Sequence, residues 1–167
     1  MKTFLLRPGY NEISVQVRAE IFRIIEMSSC CKIAIAYFTD MDIACKIIER
    51  ANYGFQTQLI INLSDILRPT TDNSSHEFHF SNAISELLKY YPRQANTEEH
   101  TLQIKTLGVQ LNKTSKYTVF HHKFIVNDRI CGFGSLNFTT NALTNNYENF
   151  HVSDEYETIS KFRKEFD

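Results

Sequence analysis

The sequence predicts an α/β protein, with one mixed β-sheet sandwiched between helices. Three observations carry this. Apolar residues recur at helical spacing in Glu12–Met27, in the stripe Ile43, Ile47, Ile48 and Ala51, and again from Phe80 to Tyr91. Between them lie CKIAIAYF (Cys31–Phe38) and TQLIINL (Thr57–Leu63), short runs apolar on both faces, as strands are when helices cover the sheet on either side. The two kinds of segment alternate, which is the pattern of a layered α/β domain. A chain of 167 residues forms one domain, 1–167, long enough to bury a substantial core.

In order, Thr3–Leu6 reads as a short edge strand stopped by Pro8-Gly9. The helix of Glu12–Met27 carries Ile13, Val17, Ile21, Ile24 and Ile25 on one stripe. Strand Cys31–Phe38 leads to Asp40, a helix N-cap, and Gly54 suits the C-terminal stop. After strand Thr57–Leu63 comes a polar loop, Ser64–Ser75. Ser74 and Glu77 have capping-box spacing for a helix that Pro92 ends. A second polar loop, Arg93–Thr101, precedes strand Leu102–Leu107, and Gly108–Lys116 reads as a polar connection. Thr118–Val126 and Ile130–Asn137 are predicted strands joined through Asn127-Asp128-Arg129. Asn149–Val152 is a last strand and Glu155–Phe166 a closing amphipathic helix. There are no repeats or low-complexity tracts.

Hydrophobic content of 43% and charged content of 22% fit a soluble globular protein. A net charge of −1 is not that of a dedicated, strongly basic nucleic-acid binder. The charge is uneven, however. Between Thr101 and Arg129 stand Lys105, Lys113, Lys116, Lys123 and Arg129 against Asp128 alone, so this stretch is expected to attract anions. The run MKTFLLRPGYNE is too short in apolar residues for a signal peptide, and no stretch approaches the length of a membrane span. Cys30, Cys31, Cys45 and Cys131 show neither metal-ligand nor disulfide-framework spacing and fit reduced thiols in a cytoplasmic protein. A zinc site built from His121, His122 and Cys131 is outweighed on the same ground, and no metal or other cofactor is expected.

The chemistry concentrates in Tyr117–Asn149. In an extended strand, residues two apart share a face. His121 and Lys123 therefore project together, with Phe120, Phe124 and Val126 opposite; Ser135 and Asn137 repeat the arrangement. An imidazole, an ammonium, a hydroxyl and a carboxamide on one surface suit an anionic tetrahedral group such as phosphate. His122, between two phenylalanines on the other face, reads as packing. His76 and His79, in SHEFHF, lack metalloprotease spacing and read as surface residues.

These residues resemble the phospholipase D superfamily. His121, Lys123 and Asp128 stand in a His-x-Lys-x-x-x-x-Asp pattern, GSLNF supplies its Gly-Ser-x-Asn element, and NFTTNALTNNYEN is similar to the tail of its small nucleases. One departure is visible: the interval from Asp128 to Gly134 is one residue shorter than usual. The resemblance implies the phospholipase D/nuclease-like fold and a metal-independent phosphodiesterase that works through a covalent phospho-histidine. His121 would be the nucleophile. Lys123 and Asn137 would hold the non-bridging oxygens, with Ser135 donating a further hydrogen bond. Glu148 would orient the histidine, and Asp128 would brace the turn or a neighbouring cation. Lys105, Lys113, Lys116 and Arg129 are the expected substrate-binding cations.

Such a reaction needs a second imidazole to protonate the leaving oxygen. No other histidine here is followed two residues later by lysine. Small single-motif members of the family pair two chains about a two-fold axis, so the resemblance implies a homodimer with one shared site. An endonuclease acting on DNA or RNA is the leading expectation. The alternatives are the cleavage subunit of a restriction or phage-defence system with a separate specificity partner, a phospholipase, and a non-catalytic dimeric nucleic-acid-binding module.

Overall fold

A computed structural model describes residues 1–62, 81–90, 101–107, 109–111, 116–118 and 120–167. The elements run β1 (Lys2–Leu6), α1 (Asn11–Glu26), β2 (Cys30–Ile35), α2 (Met41–Asn52), β3 (Gln56–Asn62), α3 (Asn82–Tyr90) and β4 (Leu102–Leu107). There follow β5 (Val109–Leu111), β6 (Lys116–Thr118), β7 (Lys123–Val126), β8 (Cys131–Gly134), α4 (Thr140–Thr144), β9 (Glu148–Ser153) and α5 (Tyr156–Phe166). Seven strands form one sheet in the order β1-β9-β8-β7-β2-β3-β4. β2, β3 and β4 are parallel, because helices α2 and α3 return the chain between them; β7, β8, β9 and β1 join through antiparallel ladders. The mixed α/β sandwich read from the sequence is the fold.

Side-chain alternation splits the interior into two clusters. On one face, Ile33 and Ile35 of β2, Leu59 of β3 and Ile125 of β7 pack with Val17, Ile21 and Ile24 of α1, Ile43 and Ile47 of α2, and Phe138 and Phe150. On the other, Ala34, Phe124, Val126 and Cys131 meet α5 through Ile159, Phe162 and Phe166. The helical stripes of α1 and α2 are therefore core, and burying each Ile or Phe there contributes about 1.5–3 kcal/mol. Asp40 caps α2 by accepting from the Ile43 amide at 3.0 Å. Gly54, at φ 82°, donates its N–H to Ala51 O just past the helix end.

Several expectations are corrected. The segment between β4 and β7 is not simply a polar connection: VQL and KYT pair as an antiparallel hairpin, β5–β6. The strands of the motif are short. β7 covers only Lys123–Val126, so His121 precedes it; β8 stops at Gly134, so Ser135 and Asn137 follow it. A one-turn helix, α4, lies between β8 and β9, capped by Thr139, whose hydroxyl accepts from Ala142 N at 3.0 Å. The Ser74–Glu77 capping box, the Ser64–Ser75 loop, most of the Arg93–Thr101 loop and the helix stop at Pro92 lie outside the described residues.

Candidate active site

The motif residues gather at one end of the sheet, where β2 and β8 finish and β7 and β9 begin. Lys123 is in register with Ile35, and Gly134 with Phe150. The carboxyl ends of parallel strands are where α/β sheets open for ligands. Alternation puts Lys123 on the face of Ile125, while Phe124 and Val126 face α5. The Lys123 ammonium donates to His121 O at 2.9 Å, which folds the segment before β7 over the strand end. His121 is exposed. Its neighbour His122 belongs to the other side: its ring lies 5.3 Å from Phe120 and 5.9 Å from Phe124, and its Nε2 is 3.4 Å from Glu165 of α5.

Gly134, Ser135, Glu148 and Asn149 form a tight knot across β8 and β9. A Cβ on Gly134 would stand 2.3 Å from Asn149 O, so only glycine lets the two backbones approach this closely. The Ser135 amide donates to Asn149 O and Oδ1, each at 3.1 Å. The Ser135 hydroxyl accepts from Asn149 N at 3.0 Å and donates to Glu148 Oε2 at 2.5 Å. The expectation that Ser135 donates to a substrate oxygen thus meets a different geometry, because its single proton is already committed to Glu148. Asn146 Nδ2 donates to Glu148 Oε1 at 3.3 Å, fixing the carboxylate from both ends. Partial burial pushes the Lys123 ammonium below its usual range, and the charge of Glu148 opposes that shift.

Asn137 is oriented by the loop after β2. Tyr37 N donates to Asn137 Oδ1 at 3.3 Å, a bond that does not use the Nδ2 hydrogens. His121, Lys123, Asn137 and Glu148 are thus brought to one end of the sheet, with Ser135 holding Glu148 from beneath.

Asp128 and Arg129 are not part of this group. They sit in the turn at the far end of β7, four strand residues and about 13 Å away. There a hydrogen bond from Ser28, followed by the charges of Arg129 and Arg163, holds the Asp128 carboxyl below its usual range. The turn itself is tied by Asn127, which sequence reasoning overlooked. Asn127 is buried, accepts from Arg129 N and Ile130 N at 2.7 and 2.8 Å, and donates to Ile24 O at 2.7 Å. Lys105 is also corrected: it is exposed on outer strand β4, in register with Ile60 and through it with Ala34, on the α5 side of the sheet, opposite Lys123. A run of charges in sequence does not encode which face each will take. Lys116 opens β6, and Lys113 lies outside the described residues, as do His76 and His79.

Among the described residues, no three metal-ligating side chains converge, and no helix is long and apolar enough to cross a membrane. The groove between β1 and α1, lined by Phe4, Tyr10 and Ile13, runs along the outer edge of the sheet and contains none of the motif residues.

The family model described as cardiolipin synthase, PLD-like domain, matches residues 21–167. Mitochondrial cardiolipin hydrolase from Homo sapiens is 37% identical over 65 residues, which is 38% of this chain and 26% of that protein. The chain thus spans about a quarter of the length of the curated relatives it matches. Among solved structures, NucT from Helicobacter pylori superposes with a TM-score of 0.70 at 24% identity, over 99% of this chain and 92% of that one. The phospholipase D family member Nuc from Salmonella typhimurium gives 0.62 at 18% identity, over 89% and 83% of the two chains.

Proposed function

The chain belongs to the phospholipase D superfamily, and on that footing we propose that it is a metal-independent phosphodiesterase, cleaving DNA or RNA at a site shared by two copies. The observation that carries the reading is that exposed His121 and part-exposed Lys123 and Asn137 lie together at one end of the sheet.

A phosphodiester resists attack because its non-bridging oxygens repel nucleophiles, so their charge must be met first. Lys123 and the Asn137 amide supply a cation and donors for this. The neutral His121 imidazole then attacks phosphorus: a P–N bond forms as the P–O bond to the leaving group breaks. A protonated imidazole gives its proton to that departing oxygen. Water next attacks phosphorus, the P–N bond breaks, and the second imidazole takes the water's proton. The charge of Glu148, held by Ser135 and Asn146, opposes the effect of partial burial on Lys123.

The second imidazole is the reason for the dimer. Among the described residues, His122 packs against Phe120 and Phe124, and His151 Nδ1 is 3.0 Å from Thr3 Oγ1 on the α5 side. Neither shares the face of Lys123. A second copy would supply its own His121 across a two-fold axis. Mixing intact chains with His121→Ala chains tests this. Loss of activity beyond simple dilution supports a shared site, while activity proportional to intact chain rejects it.

A lipid phosphodiester is the second reading, favoured by the names of the family model and of the curated relatives. The likeness of fold to NucT and Nuc weighs toward the nucleic-acid reading instead. Labelled DNA, labelled RNA and cardiolipin vesicles, each with and without chelator, separate the two. A restriction or defence system would add a partner for specificity, since one small domain has little surface left for reading bases.

A further inference from the structure

Asp40 lies away from the reacting groups, yet the segment that orients Asn137 is fastened through it. Phe138 O accepts from Thr39 N at 2.8 Å and from Asp40 N at 3.0 Å, and Phe138 N donates to Tyr37 O at 3.1 Å. Phe38 and Phe138, both fully buried, form a parallel bridge with their rings 6.1 Å apart. Residues 37–40 and 137–138 therefore move as one body, and its last link is Tyr37 N to Asn137 Oδ1.

The other side of that body is held by charge. The Asp40 side chain is 2% exposed. Its Oδ1 accepts from Arg18 Nη1 at 2.6 Å as well as from the Ile43 amide, and its Oδ2 accepts from Arg18 Nη2 at 2.8 Å. Two parallel bonds to a planar guanidinium fix direction as well as distance. Asp42 adds a contact to Arg18 at 3.0 Å. An ordinary helix cap requires only a side-chain acceptor at Asp40. A buried carboxylate gripped by a fork on another helix does more: it cannot shift without leaving a charge unpaired in the interior.

We propose that the Arg18–Asp40 ion pair is a positioning device that holds the post-β2 loop in register with residues 137–138, so that the Asn137 amide faces the phosphate with its donors. The inference rests on the reading of Asn137 as a phosphate-holding group. Asp40 and Arg18 are positioning residues and touch no substrate.

Asp40→Asn separates the two roles of this residue. Asparagine caps a helix as well as aspartate does but cannot form the bidentate charge pair. Turnover of bis-p-nitrophenyl phosphate, measured well below the melting temperature of each variant, should show kcat lowered about tenfold with KM little changed, the pattern of an interaction felt in the transition state. In an Asn137→Ala background the same substitution should cost almost nothing further, because the group it positions is gone. Arg18→Gln should reproduce both results, and carries the test if Asp40→Asn does not fold. A readout without catalysis runs in parallel: the Asn137 side-chain amide should show a proton–proton Overhauser contact to the Tyr37 amide that the variants lose. Wild-type kcat with that contact retained overturns the proposal, as does an equal kcat loss with and without Asn137. If the intact protein turns over no phosphodiester, the functional reading fails, and the Overhauser contact alone decides the positioning claim.

Discussion

Ser135 donates its hydroxyl proton to Glu148 Oε2 across 2.5 Å while accepting from Asn149 N. These two bonds hold the Glu148 carboxylate in place against the start of β9. Ser135→Ala should lower kcat about ten- to a hundredfold with KM within a factor of about two, matching the loss of one hydrogen bond to a charged group. Steady-state kinetics check this. A variant with wild-type kcat and raised KM would point instead to direct substrate binding by the hydroxyl.

The two adjacent histidines should separate cleanly. On the proposed mechanism, His121→Ala removes nucleophile and acid together and should reduce turnover by about 10⁴-fold or more without lowering the melting temperature. His122→Ala should keep most of the activity and cost about 1 kcal/mol of stability through its contacts with Phe120, Phe124 and Glu165. Reversal of the two phenotypes would show that the strand parity has been misassigned.

Gly134→Ala should be among the most damaging single changes. The added methyl meets Asn149 O at 2.3 Å and Oδ1 at 2.7 Å, and the backbone at φ 154° disfavours any side chain. A stability loss of about 2 kcal/mol or more in urea melts is expected. Catalysis should fall as well, because the same knot aligns Ser135 and Glu148.

Asp128 should govern stability rather than chemistry. Its carboxyl is held below the usual range by the Ser28 hydrogen bond and then by Arg129 and Arg163. A carboxyl depressed in the folded state stabilises above its unfolded pKa, about 3.9, and loses that contribution as pH falls through the lower folded value. Asp128→Asn should therefore melt at a lower temperature at neutral pH, with the gap closing below about pH 4. Turnover should be unchanged. A gap that persists in acid would mean that the charge is not what Asp128 contributes.

The sheet and the helical stripes were legible because each depends on local periodicity: period two in strands, 3.6 in helices. What stayed hidden depends on tertiary contact. Nothing in Asn127-Asp128-Arg129 tells that the neutral Asn127 ties the turn while Asp128 reaches Ser28. The hydroxyl of Ser135 looks free in sequence, because its partner Glu148 is 13 residues away and on the next strand. Lys105 and Arg129 looked close to the site because the chain passes there soon after, yet one faces the far side of an outer strand and the other the opposite end of a hairpin. Asp40 reads as a helix cap in sequence; only packing shows that Arg18, 22 residues earlier, grips it.

The most direct test of the account is to trap the enzyme during turnover. The protein is mixed with a slow phosphodiester in the presence of EDTA, quenched at alkaline pH to preserve phosphoramidates, digested, and read by mass spectrometry. Full activity in the chelator and a phosphoryl adduct on the peptide at His121 are the expected results. Activity lost to EDTA and restored by Mg²⁺, or an adduct on His122, would contradict it.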